Sequence, residues 1–324
     1  MWINWFTPIK SLDYNKNLAS TWIRCLQLIP YLEKEKIYSH INSFHEDADV
    51  AIFVRYQNKE ALDLAKKCKS KGQKIIADFC VNYLDVSGKV GEGYGSLEFQ
   101  REEAIRMIEI ADIVFCSSNN ITSSFRKYHE NVHYLSDSIN LDHFKYIKKI
   151  EDFNKKKLNL MYAGVSSKTT YLFEHIYPLV RDFDYSLSMI MDKRKPLLKR
   201  YSYQKWNYES FPQELIKADL GLAPRDVESS YDLGHSIFKI GVFIAQGIPV
   251  LASPVPSYFE IIKDSNVGMI CSSPKDWRDA LMIVEEDRSI LSKWSSRCHD
   301  VIMPYSTENI VKRYTNIFNG IKRD

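Results

Sequence analysis

Apolar residues fall into two alternating patterns along the chain. Short runs rich in β-branched and aromatic residues, such as WINWF, DVAIFVR and KIIADF, alternate with longer segments whose apolar positions recur every three to four residues. The first pattern predicts strands at Trp2–Phe6, Ala48–Arg55, Lys74–Phe79, Asp112–Ser117 and His133–Leu135. A second series follows at Leu158–Ala163, Tyr185–Met191, Asp219–Ala223, Pro249–Ala252 and Gly268–Cys271. The longer pattern predicts helices near Leu18–Lys34, Lys59–Lys69, Leu97–Ile110, Asn120–Tyr128, Thr170–Val180 and Ser236–Gln246. Strands that are apolar at successive positions are buried on both faces, as in parallel sheets covered by helices on either side. The fold class expected is α/β, with doubly wound parallel sheets.

Lys145–Lys157 separates the two series of strands. It is charged, has no clear periodicity and reads as a linker. Directly after it, LNLMYAGVSSK gives a buried strand, a Gly turn and a helix start, the way a nucleotide-binding α/β domain opens. One Rossmann-like domain is therefore expected at residues 1–150 and a second at 151–324. Past Trp277 the pattern is helical, in WRDALMIVEE, SILSKWSSRCHDVIM and STENIVKRYTNIF. No internal repeat or low-complexity tract interrupts this order.

A length of 324 residues suits two domains. A net charge of +3 is too balanced for a dedicated nucleic-acid binder. Lysine does cluster locally, in KYIKKI, NKKKLN and DKRKPLLKR. Such runs read first as solvated surface, and more sharply as contact with an anionic membrane surface or acceptor. The six cysteines form no CxxC pair and no zinc spacing, and several lie in apolar runs, as buried free thiols do. No signal peptide and no apolar run of bilayer length is evident, so a cytoplasmic location is expected. The pairs DAD at 47–49 and DFD at 182–184 precede strands, the wrong edge for a metal-binding Asp-x-Asp. His129 and His133 bracket a helix end and a strand start, with no carboxylate to complete a site. No metal site is expected.

The stretch HSIFKIGVFIAQGIPVLASP, from His235 to Pro254, opens at a cationic polar corner, continues as an apolar helix and stops at Gly247 before a buried strand. A helix N-terminus above the end of a parallel sheet is an anion site.

Several segments, in order, carry a resemblance. ADIVFCSSNNITSSFRKY, LSDSINLDHF at 135–144, LMYAG, ADLGLAPRD, SIFKIGVFIAQGIPVLAS, EIIKDSNVGMIC and the pair Tyr305-Ser306 together resemble the GT-B glycosyltransferases. They are closest in pattern to the large group of retaining, metal-independent enzymes of bacterial polysaccharide and lipopolysaccharide synthesis. The resemblance covers about residues 110–324 well and the first hundred in outline. It implies two Rossmann-like domains facing a cleft, an N-terminal acceptor domain and a C-terminal donor domain. Its helical tail would have a last helix that packs back toward the N-domain. It also implies a nucleotide-sugar co-substrate and no metal requirement.

Within that frame Lys239, Ser236 and His235 would contact a donor diphosphate. Gly164 would admit the backbone close to it, and Lys168 and Arg225 would add cations. The family pattern is broken at two acids. A Glu is common three residues after the Lys, where this chain has Val242, and its partner eight positions earlier would fall on Gly234. An Arg common directly after the Gly is here Val165. On the acceptor side, GKVGEGYG at 88–95 lacks the P-loop order and reads as a loop at the carboxyl edge. Beside it, DFCVNYLD offers Asp78 or Asp85 as a base or positioning carboxylate and Asn82 as an acceptor contact. Ser20 and Arg24, on a helix with its start toward the cleft, are further acceptor contacts.

The function expected is transfer of a sugar from a nucleotide-activated donor to a surface-glycan or lipid-linked acceptor, at the inner membrane face. Two alternatives account for the missing acids: a CDP-polyol phosphotransferase, or a non-catalytic GT-B subunit that binds a catalytic partner.

Overall fold

The structure is a computed structural model that describes residues 1–9, 11–85, 96–153, 157–195 and 200–321. The loop GKVGEGYG, at 88–95, lies outside the described residues. The chain divides into two compact units. The first comprises Met1–Ser138, Glu228–Ser236 and Tyr305–Asp324; the second comprises Ile139–Val227 and Ile237–Pro304. The division therefore falls at Ser138 rather than near residue 150, and two later segments count with the first unit.

The first unit holds β1 (Trp2–Phe6), β2 (Tyr38–Ile41), β3 (Val50–Val54), β4 (Lys74–Phe79), β5 (Ile113–Cys116) and β6 (Val132–Tyr134). They form one parallel sheet in the order β2-β1-β3-β4-β5-β6. β3 is buried at every position, as its continuous VAIFV run requires. β2 is the exception to the apolar pattern. Its YSHI has no buried residue because it is the edge strand, so the sequence reading missed it. Helices Lys59–Ser70 and Leu97–Ile110 are capped by the side chains of Asn58 and Ser96. The predicted helix over Leu18–Lys34 is broken by a π-turn at Trp22–Leu26, where the Gln27 N–H reaches back to the Trp22 carbonyl at 3.0 Å. The final helix, Thr307–Asn319, joins this unit, with the Tyr314 ring edge-on to Phe115 at 5.3 Å.

The second unit holds β7 (Asn159–Ala163), β8 (Ser186–Met191), β9 (Ser202–Lys205), β10 (Leu220–Ala223), β11 (Val250–Ala252) and β12 (Gly268–Ile270). These are parallel in the order β12-β11-β10-β7-β8-β9. Counted from β7, this is the 3-2-1-4-5-6 order of dinucleotide-binding sheets, with its switch point between β7 and β10. β9, SYQK, is again a polar edge strand that the apolar pattern did not reveal. Gly247 has φ +73 and closes helix Phe238–Ile244 ahead of β11. Two helices follow, Pro274–Glu286 with a Ser273/Asp276 capping box, and Ser289–Ile302.

The segment expected as a linker is partly core. Lys148 is only 4% exposed. Its ammonium donates to Asp219 Oδ1 at 2.9 Å and to the Ala218 carbonyl at 2.6 Å, and Phe153 lies in the apolar interior. A buried lysine inside a charged run cannot be told from its solvated neighbours by composition.

Candidate active site

In the second unit, the chain leaves β7 at Gly164 and β10 at Pro224, on either side of the switch point. Gly164 is constrained by close approach. A Cβ there would lie 2.8 Å from Lys239 Nζ and 2.8 Å from the Tyr162 hydroxyl. Lys239 Nζ sits 4.1 Å from the centroid of the Tyr162 ring, a cation–π contact. The Tyr162 hydroxyl donates to the Val165 carbonyl at 3.2 Å and reaches that of Lys168 at 3.5 Å. The loop is pinned again where the Ser166 N–H donates to Asp192 Oδ1 at 2.6 Å. Burial opposes the Asp192 charge, but this N–H holds its carboxyl below the usual range. Gly164, the Lys168 backbone carbonyl and the Lys239 ammonium thus meet around one tyrosine. Arg225 follows the neighbouring strand. Its N–H donates to Ser253 Oγ at 2.8 Å and its Nε to the Tyr258 hydroxyl at 3.2 Å.

The HSIFK segment differs from the expected helix start. The helix runs Phe238–Ile244, and Ile237 at its N-cap supplies no side-chain bond. Ser236 does not cap it. Its hydroxyl donates to the Asp137 carboxylate, and both residues belong to the first unit. His235 Nδ1 lies 2.8 Å from the Tyr231 carbonyl. A carbonyl can only accept, so the proton sits on Nδ1. The charge that the structure places at this edge of the second unit is therefore the Lys239 ammonium beside Gly164. Seven helical residues add little macrodipole.

The two positions where acids were missing are occupied by packing. Val242 is 2% exposed. A Cβ on Gly234 would meet Asn82 Cβ at 3.1 Å and the Ser230 carbonyl at 3.2 Å. The Gly234 carbonyl also accepts from Ser118 Oγ at 2.9 Å. A carboxylate could not be restored at 234 without moving the Asn82 loop.

In the first unit the structure corrects three assignments. Arg24 is not a cleft contact. It is 1% exposed and carried on the π-turn. Its Nε donates to Asp78 Oδ1 at 2.7 Å, and its Nη1 donates to Asp137 Oδ1 at 2.8 Å and to the Leu135 carbonyl at 3.0 Å. Asp78 is equally closed off, so it cannot take a proton from a bound acceptor. Burial pushes its carboxyl up to about 6, against the pull of Arg24. The second carboxylate of the cluster, Asp137, adds a smaller push in the same direction, and a proton on Asp78 leaves one guanidinium facing one carboxylate. Ser20 is buried too, and its hydroxyl has no hydrogen-bond partner among the described residues.

Asp85 and Asn82 differ from these. Asp85 is half-buried and accepts from Asn82 Nδ2 at 3.0 Å and from Ser124 Oγ, with Lys127 at 3.9 Å. Burial raises its pKa, but the Ser124 and Asn82 bonds win and hold it below the ordinary value. It is an ionised, anchored carboxylate. Asn82 is buried and spends its amide on Asp85, Ser124 and the turn that follows it.

No protein-family model matches the sequence, and no curated protein does. Solved structures match over nearly the whole chain. Sucrose-phosphate synthase from Thermosynechococcus elongatus is 11% identical, with a TM-score of 0.70 and 99% of each chain covered. HepE from Anabaena, in complex with UDP and glucose, is 10% identical, with a TM-score of 0.73 and coverage of 99% of this chain and 100% of that one. An alpha-glucosyltransferase in complex with UDP and a 13-mer DNA is 12% identical, with a TM-score of 0.67 and coverage of 98% and 99%. The fold is GT-B. On this GT-B frame, no group of three or more His, Cys, Asp and Glu side chains is placed to hold a metal ion among the described residues. No described helix is long and apolar enough to cross a membrane.

Three residues of the GT-B chain matter to the site but were not singled out in the sequence. Tyr162 reads as an ordinary apolar strand residue. Asp137 sits inside the polar run LSDSIN, where nothing distinguishes it from its neighbours. Asp192 opens a lysine-rich stretch. The one available signal was Tyr162 itself, an aromatic residue directly before Ala163-Gly164.

Proposed function

We propose that the protein transfers a sugar from a nucleotide-activated donor to a glycan or lipid-linked acceptor, without a metal ion. The observation that carries this reading is Lys239 Nζ held over the Tyr162 ring against Gly164, at the switch point of the second sheet. Three solved neighbours with bound UDP or UDP-glucose favour a nucleotide diphosphate as the donor part. Lys239, Lys168 and Arg225 would neutralise the leaving diphosphate by electrostatic stabilisation. Asp85, ionised and half-exposed, is the carboxylate suited to orienting an acceptor hydroxyl. The buried packing of Val242 and Gly234 means that ribose and sugar contacts must come from other groups, and it keeps the partner-subunit and CDP-polyol readings in view.

Thermal shifts against UDP, GDP, dTDP, CDP, CMP and ADP, with and without Mg²⁺, test the proposal. A selective diphosphate response, insensitive to Mg²⁺ and lost in Lys239→Ala, is expected. Product analysis then separates sugar transfer from transfer of a polyol phosphate. A flat panel would overturn the transferase reading in favour of a non-catalytic subunit.

A further inference from the structure

A cavity of about 670 Å³ lies at the amino edge of the second sheet. Asn159, Ser186 and Ser202, which begin β7, β8 and β9, border it. Gly164 follows the far end of β7. Five strand residues at ~3.3 Å each place about 16 Å between the two edges. The cavity is therefore distinct from the group around Lys239.

Its charge is one-sided. Lys157, Arg181 and Arg200 line it, against the single carboxylate of Asp184. That carboxylate is taken up by Lys157 at 2.6 Å. Arg181 and Arg200 have no ion-pair partner among the described residues. Beside them runs a ladder of polar groups, in which Ser202 Oγ donates to Ser188 Oγ and Ser188 Oγ to Asn159 Oδ1, each at 2.8 Å. The sequence runs NKKKLN and DKRKPLLKR supply Lys157 and Arg200, so the topology brings the ends of two distant lysine-rich segments to one wall. Guanidinium forks match phosphate oxygens, and the volume is that of a small-molecule site.

We propose that this cavity is a second anion site that takes a phosphate ester, with Arg181 and Arg200 as its ligating groups. Two sources share that chemistry: a soluble sugar phosphate or nucleotide, and the phosphate of an anionic lipid.

The test uses the full chain carrying Lys239→Ala, so that binding at the other edge does not contribute. Inorganic pyrophosphate is titrated calorimetrically, and vesicles of phosphatidylcholine with phosphatidic acid are co-sedimented, before and after adding Arg181→Ala and Arg200→Ala. Both arginines are exposed, so unchanged thermal unfolding of the variant serves as the folding control. Pyrophosphate affinity that falls tenfold or more supports the site with a soluble ligand. Vesicle binding that falls while pyrophosphate never bound supports it with a lipid phosphate. Binding that is absent in both arms, or that does not change on loss of the two arginines, overturns the proposal. Neither result depends on whether Lys239 serves a sugar donor.

Discussion

At the carboxyl edge of the first sheet, Arg24 is sealed in the interior between two carboxylates. At the carboxyl edge of the second, Lys239 is half-exposed over a tyrosine ring, with Gly164 kept bare beneath it. Both are cations at strand ends of doubly wound sheets. Their difference lies in how far each is enclosed. A guanidinium that meets ionisable carboxylates is bound up in holding the unit together. The Lys239 ammonium is not sealed in this way: it lies over the face of a ring in a half-exposed position that a ligand can approach. Position at the carboxyl edge therefore marks where a site can be, and burial decides whether a residue there remains available.

The largest expected effect comes from breaking the sealed side. Arg24→Ala leaves Asp78 and Asp137 buried without their cation, which should cost about 3–5 kcal/mol in chemical denaturation. Affinity for a nucleotide diphosphate in whatever remains folded should hardly change. A loss of stability under about 1 kcal/mol would mean that the cluster is not the fastening it resembles.

The same cluster makes a signed pH prediction. The Asp78 carboxyl is raised from 3.8 to about 6 in the folded protein, so the folded state holds this proton more tightly than the unfolded chain. Its contribution to stability is fully present below about pH 4 and is lost as pH rises through about 6. Asp78→Asn cannot titrate. The stability of the wild type relative to this variant should fall by on the order of 2–3 kcal/mol across that window and stay level above it. Urea melts of both proteins at a series of pH values give the slope. A difference that rises with pH would reverse the assignment of burial as the dominant cause.

Gly164→Ala probes the open side with a smaller effect. The added methyl meets the tip of Lys239, which can swing away, and the Tyr162 hydroxyl, which is held by the loop. The fold should tolerate it, while UDP titration should show weaker binding by about tenfold, the lower end of a charge-assisted contact.

These contrasts also show what the sequence could reveal. Among the described residues, the alternation of apolar runs locates ten of the twelve strands, including all eight that lie inside a sheet, because a strand covered on both faces must be largely apolar. YSHI and SYQK escape because they are edge strands built of mostly polar residues and held by their neighbour's hydrogen bonds, whereas the other two edge strands, β6 and β12, keep an apolar signal. Gly164 and Lys239 stand out because a local turn chemistry and a short motif carry them. Arg24, Asp78 and Asp137 are separated by up to 113 residues. Nothing local distinguishes a charge that will be sealed from one that will face solvent. For the same reason Lys148 hides in its charged run, and Ser236 reads as a diphosphate contact when its hydroxyl is committed to Asp137.

The smallest expected effect discriminates most finely. Ring and hydroxyl of Tyr162 can be separated: first, the ring lies beneath Lys239, and second, the hydroxyl ties the Val165 carbonyl and reaches that of Lys168. Tyr162→Phe removes only the second. A hydrogen bond of this kind contributes about 0.5–1.5 kcal/mol, and Val165 is exposed enough for water to take over the freed carbonyl, so the low end applies. UDP affinity should fall by less than about threefold. Tyr162→Leu removes the ring as well and should cost a further 0.5–1 kcal/mol or so, through the lost cation–π contact. If Tyr162→Phe proved as damaging as Gly164→Ala, the path of the loop backbone rather than the placement of the Lys239 charge would define the open site. The contrast with Arg24 would then be one of loop order rather than of charge placement.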